Sequence, residues 1–279
     1  MPHPVAFVLS SGASLGAVQV GMLRALFEHD IRPDLVVGCS VGAINGAGLA
    51  EDPTVAGVAR LDHIWRTTDA RELMGRGLWP TLSLARRTEA VHAGDKVHRF
   101  LRRTLTAATF EELAIPFQCV ATDVTTESEA WFAEGPLLEA VLASSAMPAM
   151  FPSIHIGDGR YLDGAIVNDV PVQRAVALGA RTVYVLEVGV LSRSWQEPRY
   201  PMGSAIQAYW IARRHRFRRE LEGVPDGVDV HLLPNGSPAP QRFHDFTRTA
   251  ELIDCAYAAS SAHLDGVVAG APAGAAGPA

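Results

Sequence analysis

Two short apolar runs near the start of the chain, Val5–Leu9 and Leu35–Val37, each end in a small-residue turn and lead into a helical pattern. Pro4 and the Ser10, Ser11, Gly12 turn bound the first, the pattern of a strand buried on both faces. Val18, Met22, Ala25 and Leu26 then recur at i, i+4, i+7 and i+8 within Gly16–Glu28, which predicts a helix. Gly38 breaks the second run, and Val41–Ala50 follows as a helix of small residues suited to close packing on a sheet. A β-α-β-α opening of this kind predicts a parallel sheet with right-handed crossovers.

Length and charge narrow the classes. The 279 residues suffice for one large α/β domain or two small ones, and neither an internal repeat nor a linker forces a second. Lysine and arginine total 24 against 30 acidic residues, a net charge of −6, which argues against a protein that grips a nucleic-acid backbone. Cys39, Cys119 and Cys255 are odd in number and far apart, so no disulfide framework is implied and a reducing compartment is expected. The apolar stretch Val5 to Leu26 resembles a targeting segment only superficially. It lacks Lys and Arg before it, and Ser10, Ser11, Gly12 and Ser14 interrupt it. No other stretch reaches the roughly 18 apolar residues a spanning helix needs. The expectation is a cytoplasmic protein that at most rests on a membrane surface.

Further along, residues 55–112 read as helical, broken at Gly75, Gly77 and Pro80 and resuming over 94–105. Phe117–Asp123 reads as a strand with Ala130–Phe132 as its hairpin partner, and Pro136–Ser145 as a helix. Asp158–Gly159 signals a hairpin between Ile154–Ile156 and Tyr161–Leu162. A helix at Pro171–Leu178 precedes a buried strand at Thr182–Val188. Helices at Ser204–Glu222 and Asp245–Val267 flank a short strand at Val228–Leu233, and the Gly, Ala and Pro tail from residue 267 is expected to be disordered.

The sharpest chemical feature is Gly38-Cys39-Ser40-Val41-Gly42, a G-x-S-x-G between strand and helix. Such a turn pushes the serine out of the backbone, its glycines keep crowding low, and the helix N-terminus behind favours negative charge. A glycine-rich βα turn without chemistry has the same spacing. The order of an α/β-hydrolase does not fit, because only one β-α unit precedes the strand that carries Ser40. His231 and His244 lie where a triad histidine would sit, but neither has a distinctive context, so a base other than histidine is indicated. The turn from Leu9 to Ala17 offers successive N–H groups for an anion. It carries neither G-x-G-x-x-G nor a Gly-Lys-Ser/Thr signature, which removes the dinucleotide and P-loop readings. Both turns open on the carboxyl edge of the sheet, where one supplies a hydroxyl and the other oxyanion donors.

These blocks, with Ala121-Thr122-Asp123, Ala143 to Pro148 with Phe151-Pro152, and Asp163-Gly164-Ala165 with Asn168 and Pro171, resemble the patatin-like phospholipase domain in the same order. The resemblance runs from residue 5 to about 188. It implies a three-layer α/β/α sandwich with a mostly parallel central sheet, and hydrolysis of acyl esters of lipids by a Ser-Asp dyad. Ser40 is implied as nucleophile and Asp163 as its partner, with no metal or other cofactor. Gly38 and Gly42 form the nucleophile elbow, and the N–H groups of Gly12, Ala13 and Ser14 form the oxyanion hole. Asp123 and Asp169 are the outside candidates for that carboxylate partner, read first as structural. The first turn departs from the family's usual G-G-G-x-R/K-G: it reads Ser11, Gly12, Ala13, Ser14, Leu15, Gly16, so the basic side chain is replaced by Leu15. That bears on a phosphate headgroup more than on an ester.

The resemblance divides the chain into a hydrolase domain over 5–188, a helical C-terminal extension over 189–266 packed on it, and the tail. The implied partner is a lipid or acyl-ester substrate, with peripheral membrane contact, no nucleic acid and no obligate protein partner. A small-ester carboxylesterase or thioesterase, or a silent lipid-binding module, would use the same pocket. Trp131, Met147, Met150 and Phe151 are candidates for an acyl channel or for plain core. Arg213, Arg214, Arg216, Arg218 and Arg219 cluster on a helix that also carries Ile206, Trp210, Phe217 and Leu221; this suits either contact with anionic lipid or a solvated face. Cys39 is read as buried packing.

Overall fold

The computed structural model describes residues 3–68, 97–148, 150–189, 201–236 and 246–270. Among the described residues, eight strands form one sheet: β1 (Val5–Leu9), β2 (Leu35–Cys39), β3 (Phe117–Asp123), β4 (Ser128–Phe132), β5 (Ile154–Ile156), β6 (Gly159–Asp163), β7 (Thr182–Leu186) and β8 (Asp229–Leu232). Their order is β5-β6-β3-β2-β1-β7-β8, with β4 paired to β3 off that path. The pairs β1–β2, β1–β7, β2–β3 and β7–β8 are parallel, whereas β3–β4, β3–β6 and β5–β6 are antiparallel. The sheet is therefore mostly parallel, as anticipated.

The helices are α1 (Gly16–Glu28), α2 (Val41–Glu51), α3 (Val55–Thr67), α4 (97–104), α5 (Leu137–Ser144), α6 (Val172–Ala177), α7 (Pro201–Glu222) and α8 (Thr249–Gly270). Alternation along the central strands builds a core on each face of the sheet. Phe7, Leu9 and Val36 point to the larger core, which α1, α2, α3, α4, α5 and α8 close. Ala6, Val8, Leu35 and Val37 point to the other, closed by α6 and by Phe217 of α7. Strands covered on both sides have no need of a polar face, which is why their sequences are continuous apolar runs. This gives three layers, α/β/α.

Two differences from expectation stand out. Gly38 does not break β2, because Leu9 of β1 and Cys119 of β3 pair with it from either side. The last helix runs to Gly270, so the predicted tail begins as helix, and residues 271–279 lie outside those described. The breaks at Gly75, Gly77 and Pro80 also lie outside them.

Candidate active site

Ser40 sits between β2 and α2 at φ 56, ψ −121, a left-handed conformation that L side chains avoid. The two flanking glycines make the turn sterically possible. A Cβ on Gly38 would overlap the Gly42 carbonyl, and one on Gly42 would overlap the Leu9 and Ser10 carbonyl oxygens. The elbow therefore presses directly on the end of β1. Its backbone is held in place: Ser40 N–H donates to Ser144 Oγ at 2.9 Å, and Ser40 C=O accepts from the N–H groups of Ala43 and Ile44 at 2.8 and 3.1 Å.

The side chain that meets Ser40 comes from 123 residues away. Ser40 Oγ donates to Asp163 Oδ2 at 2.6 Å, and the other carboxylate oxygen accepts from the Ala165 N–H at 2.9 Å. Strand pairing on β3 brings them together. β2 runs up one edge of β3 and ends with Cys39 opposite Val120; β6 comes down and ends with Asp163 opposite Ala121. β4 occupies the other edge, since Cys119 pairs with Phe132 and Ala121 with Ala130. Two strand ends thus arrive head-on at consecutive residues of β3. Asp163 is pinned further by its N–H to the Ala146 carbonyl at 3.0 Å and by its own carbonyl, which accepts from Thr122 Oγ1 at 2.8 Å.

Ser40 is 4% and Asp163 2% exposed. Burial raises the Asp163 pKa to about 6, against the opposing pull of the Ser40 hydroxyl, the Ala165 N–H and the Arg213 cation; Asp169 adds to the rise. A carboxylate so placed is a stronger base than one in water and is still mostly ionised near neutrality.

Gly12, Ala13 and Ser14 lie in the turn after β1, which tightens into a short 3₁₀ turn at Ala13–Leu15 before α1. Parallel pairing of Leu9 with Gly38 sets this turn beside the elbow. Ala13 adopts φ 50, so the turn does demand a left-handed residue and a non-glycine supplies it. Among the described residues, the N–H groups of Gly12 and Ala13 donate to nothing. Leu15 is packed in the larger core.

Sequence reasoning passed over a buried polar relay beneath this turn. Gln19 Nε2 donates to the Ser10 carbonyl at 2.7 Å, Asn45 Nδ2 to Gln19 Oε1 at 2.9 Å, and Trp65 Nε1 to Asn45 Oδ1 at 2.8 Å. One clue was available, because a glutamine and an asparagine interrupt the apolar faces of α1 and α2. Arg213, read only as part of a basic cluster, is a second omission. It is buried against Asp169 with Nη2 2.6 Å from Oδ1.

The other candidates fall outside the site. Asp123 caps the β3–β4 turn, accepting from the Thr125 and Thr126 N–H groups at 2.7 and 3.2 Å. His231 on β8 stacks on Tyr184 of β7, and His244 lies outside the described residues, as does the side chain of Ile206. Trp131 is half-buried beneath the Arg174 guanidinium, and Phe151 packs against the larger core. Cys39 is fully buried, and burial pushes its thiol pKa well up, so it is no nucleophile at neutral pH. Among the described residues no helix is long and apolar enough to cross a membrane.

The chain resembles known proteins over most of its length. A family model described as Patatin-like phospholipase matches residues 7–176. Patatin-like phospholipase domain-containing protein 6 of Mus musculus is 30% identical over 231 residues, 82% of this chain and 16% of that protein. Lysophospholipase NTE1 of Eremothecium gossypii is 26% identical over 240 residues, 82% of this chain and 14% of that protein. This chain therefore spans about a sixth of those relatives or less. Among solved structures, VipD from Legionella pneumophila shares the fold, with a TM-score of 0.54 at 14% identity over 95% of this chain and 67% of that one.

Proposed function

The chain belongs to the patatin-like phospholipase family, and we propose that it hydrolyses carboxylic acyl esters of lipids through a dyad of Ser40 and Asp163. The observation that carries this reading is the 2.6 Å hydrogen bond from Ser40 Oγ to Asp163 Oδ2, at a serine held in a left-handed elbow. In the first half-reaction Ser40 Oγ attacks the ester carbonyl while its proton passes to Asp163. The tetrahedral oxyanion takes hydrogen bonds from the Gly12 and Ala13 N–H groups, with Ser14 completing the turn, and the α2 N-terminus adds a favourable field. Collapse expels the alcohol, which leaves with the proton from Asp163, and an acyl-Ser40 ester remains. In the second half-reaction a water gives its proton to Asp163 and attacks the acyl group. Ser40 departs with that proton and the fatty acid is released.

The raised Asp163 pKa supports this assignment, since a base with a pKa nearer the working pH transfers protons more effectively. A fluorophosphonate probe read by intact mass tests it. One adduct on the native chain, mapped to Ser40 and absent from Ser40→Ala, is the expected result; labelling that survives Ser40→Ala would sink the dyad. A panel of long-chain phospholipids, lysophospholipids, short-chain esters and thioesters then ranks the substrates. The names of the relatives favour the lipids, and faster turnover of short esters would redirect the reading to a small-ester esterase.

A further inference from the structure

α7 meets the site with a polar stripe. Arg213, Arg216 and Glu220 stand at i, i+3 and i+7, one face of the helix, and each reaches the segment that continues from Asp163. Arg216 Nη2 donates to the Ala165 carbonyl at 3.0 Å, and Glu220 accepts from the Gln173 N–H at 2.9 Å. Arg213 Nη2 donates to Asp169 Oδ1 at 2.6 Å and to Ser11 Oγ at 2.8 Å. The Ser11 hydroxyl donates to that same Asp169 oxygen, and the Ser11 N–H to the Asp169 carbonyl at 3.3 Å. Guanidinium, carboxylate and hydroxyl close a triangle that joins α7, the stretch after Asp163 and the turn after β1.

The Arg213 and Asp169 side chains are 4% and 1% exposed. A pair this far from water is a weak source of stability, because desolvation offsets its attraction. Direction is what it supplies: both ends are fixed, and Ser11 is held between them. The turn itself brings no cation, since Leu15 is in the apolar core.

We propose that Arg213 is a positioning residue for the ester-hydrolysing site: from a helix beyond the stretch matched by the family model, it locks Asp169 to Ser11 and so fixes the Ser11-Gly12-Ala13 turn against the Ser40 elbow. This rests on the dyad reading above. It also gives the pair an electrostatic signature. The charged groups facing Asp163 are Arg213, which favours its ionised form, and Asp169, which opposes it. Cys39 and Tyr209 lie near the carboxylate too, but burial raises the pKa of both and they are neutral at pH 7. Arg216 also feels the Asp169 charge and stays in place. Removing Arg213 takes away the cation that favours the ionised form of Asp163, so the Asp163 pKa rises.

The test uses the full chain with a p-nitrophenyl acyl ester, giving kcat per fluorophosphonate-labelled site, KM, the pH profile and Tm. Arg213→Gln is expected to lower kcat about 10- to 100-fold with KM within about twofold, the range over which misplaced positioning groups act. The acid limb should move to higher pH. Arg213→Lys keeps the charge but not the fork, so it should recover part of kcat and return the limb. Wild-type kcat and pH profile in a folded Arg213→Gln overturn the proposal alone. If that variant does not fold, Arg213→Lys decides: kcat lowered several-fold with the limb in place supports the assignment, and unchanged kcat overturns it. Wild-type turnover that survives Ser40→Ala would overturn the dyad and this proposal together.

Discussion

α7 and α8 are both 22-residue helices that follow the stretch matched by the family model, yet they are held by opposite means. α8 lies along α1 with Leu252, Ile253, Ala256 and Leu264 buried. It comes so close that a Cβ on Gly21 would overlap the Ile253 carbonyl. Its ion pairs to neighbouring elements among the described residues, Arg24 and Arg66 with Asp254 and His29 with Asp265, stay at the surface, where such pairs add little. α7 puts Phe217 into the second core but turns Arg213, Arg216 and Glu220 toward the loops of the site. Apolar area braces the fold at one helix; directed charge ties the loops beside Ser40 and Asp163 together at the other. Position along the chain does not separate the two roles, and only the partners of each side chain do.

Mirror-image substitutions break or sharpen that contrast. The largest effect belongs to the site: Asp163→Asn removes the proposed base, and kcat should fall by about 10²–10⁴ in an ester assay while circular dichroism stays native. Near-normal turnover would reopen the histidine reading. On the α8 side, Ile253→Ala leaves a cavity under the brace and should cost about 2–5 kcal/mol in denaturant unfolding with kcat/KM unchanged. Should kcat/KM fall with it, α8 is more than a brace.

The contrast has a pH dimension. Asp163 ionises with a pKa of about 6 in the folded chain against an ordinary 3.8. The stability tied to its neutral form is full below pH 3.8 and is lost as pH rises through about 6, a difference of about 3 kcal/mol. Asp163→Asn should therefore stabilise the fold by roughly 2–3 kcal/mol at pH 8 and by nothing near pH 4, read by unfolding at the two values. A site residue that costs stability then stands against a brace that supplies it. Smallest is Ala13→Gly: it relieves the left-handed alanine at φ 50, and a stability gain of about 0.5–1 kcal/mol is expected. A loss would mean that the alanine side chain contributes packing worth more than its strain.

Legibility in the sequence followed range. The Ser40 elbow was readable because strand, turn and helix are contiguous, from Leu35 to Glu51. Each has a local cause: an apolar run, two glycines and a string of small residues. The hairpin of β5 and β6 was readable for the same reason, but its turn sits one residue earlier than Asp158–Gly159: Gly157, at φ 56, and Asp158 form it, and Gly159 already pairs with Ile156 as the start of β6. The arginine cluster was not resolvable. Its members differ by where α7 faces, and the structure divides them: Arg213 is buried, Arg216 half-buried, Arg218 and Arg219 exposed. Asp169 read as structural for want of any local sign that a guanidinium some 44 residues on would meet it.

The sequence alone determined the parallel βα opening, the strained serine and the turn beside it, since hydrogen bonds between near neighbours and steric limits on φ act over a few residues. Tertiary structure decided that Asp163, 123 residues from Ser40, is its partner, and that Arg213 joins the turn to Asp169. Those choices depend on register: β2 and β6 end on consecutive residues of β3. That register is selected by burying whole sheet faces against two layers of helices, a condition spread over the entire chain and carried by no single segment of it.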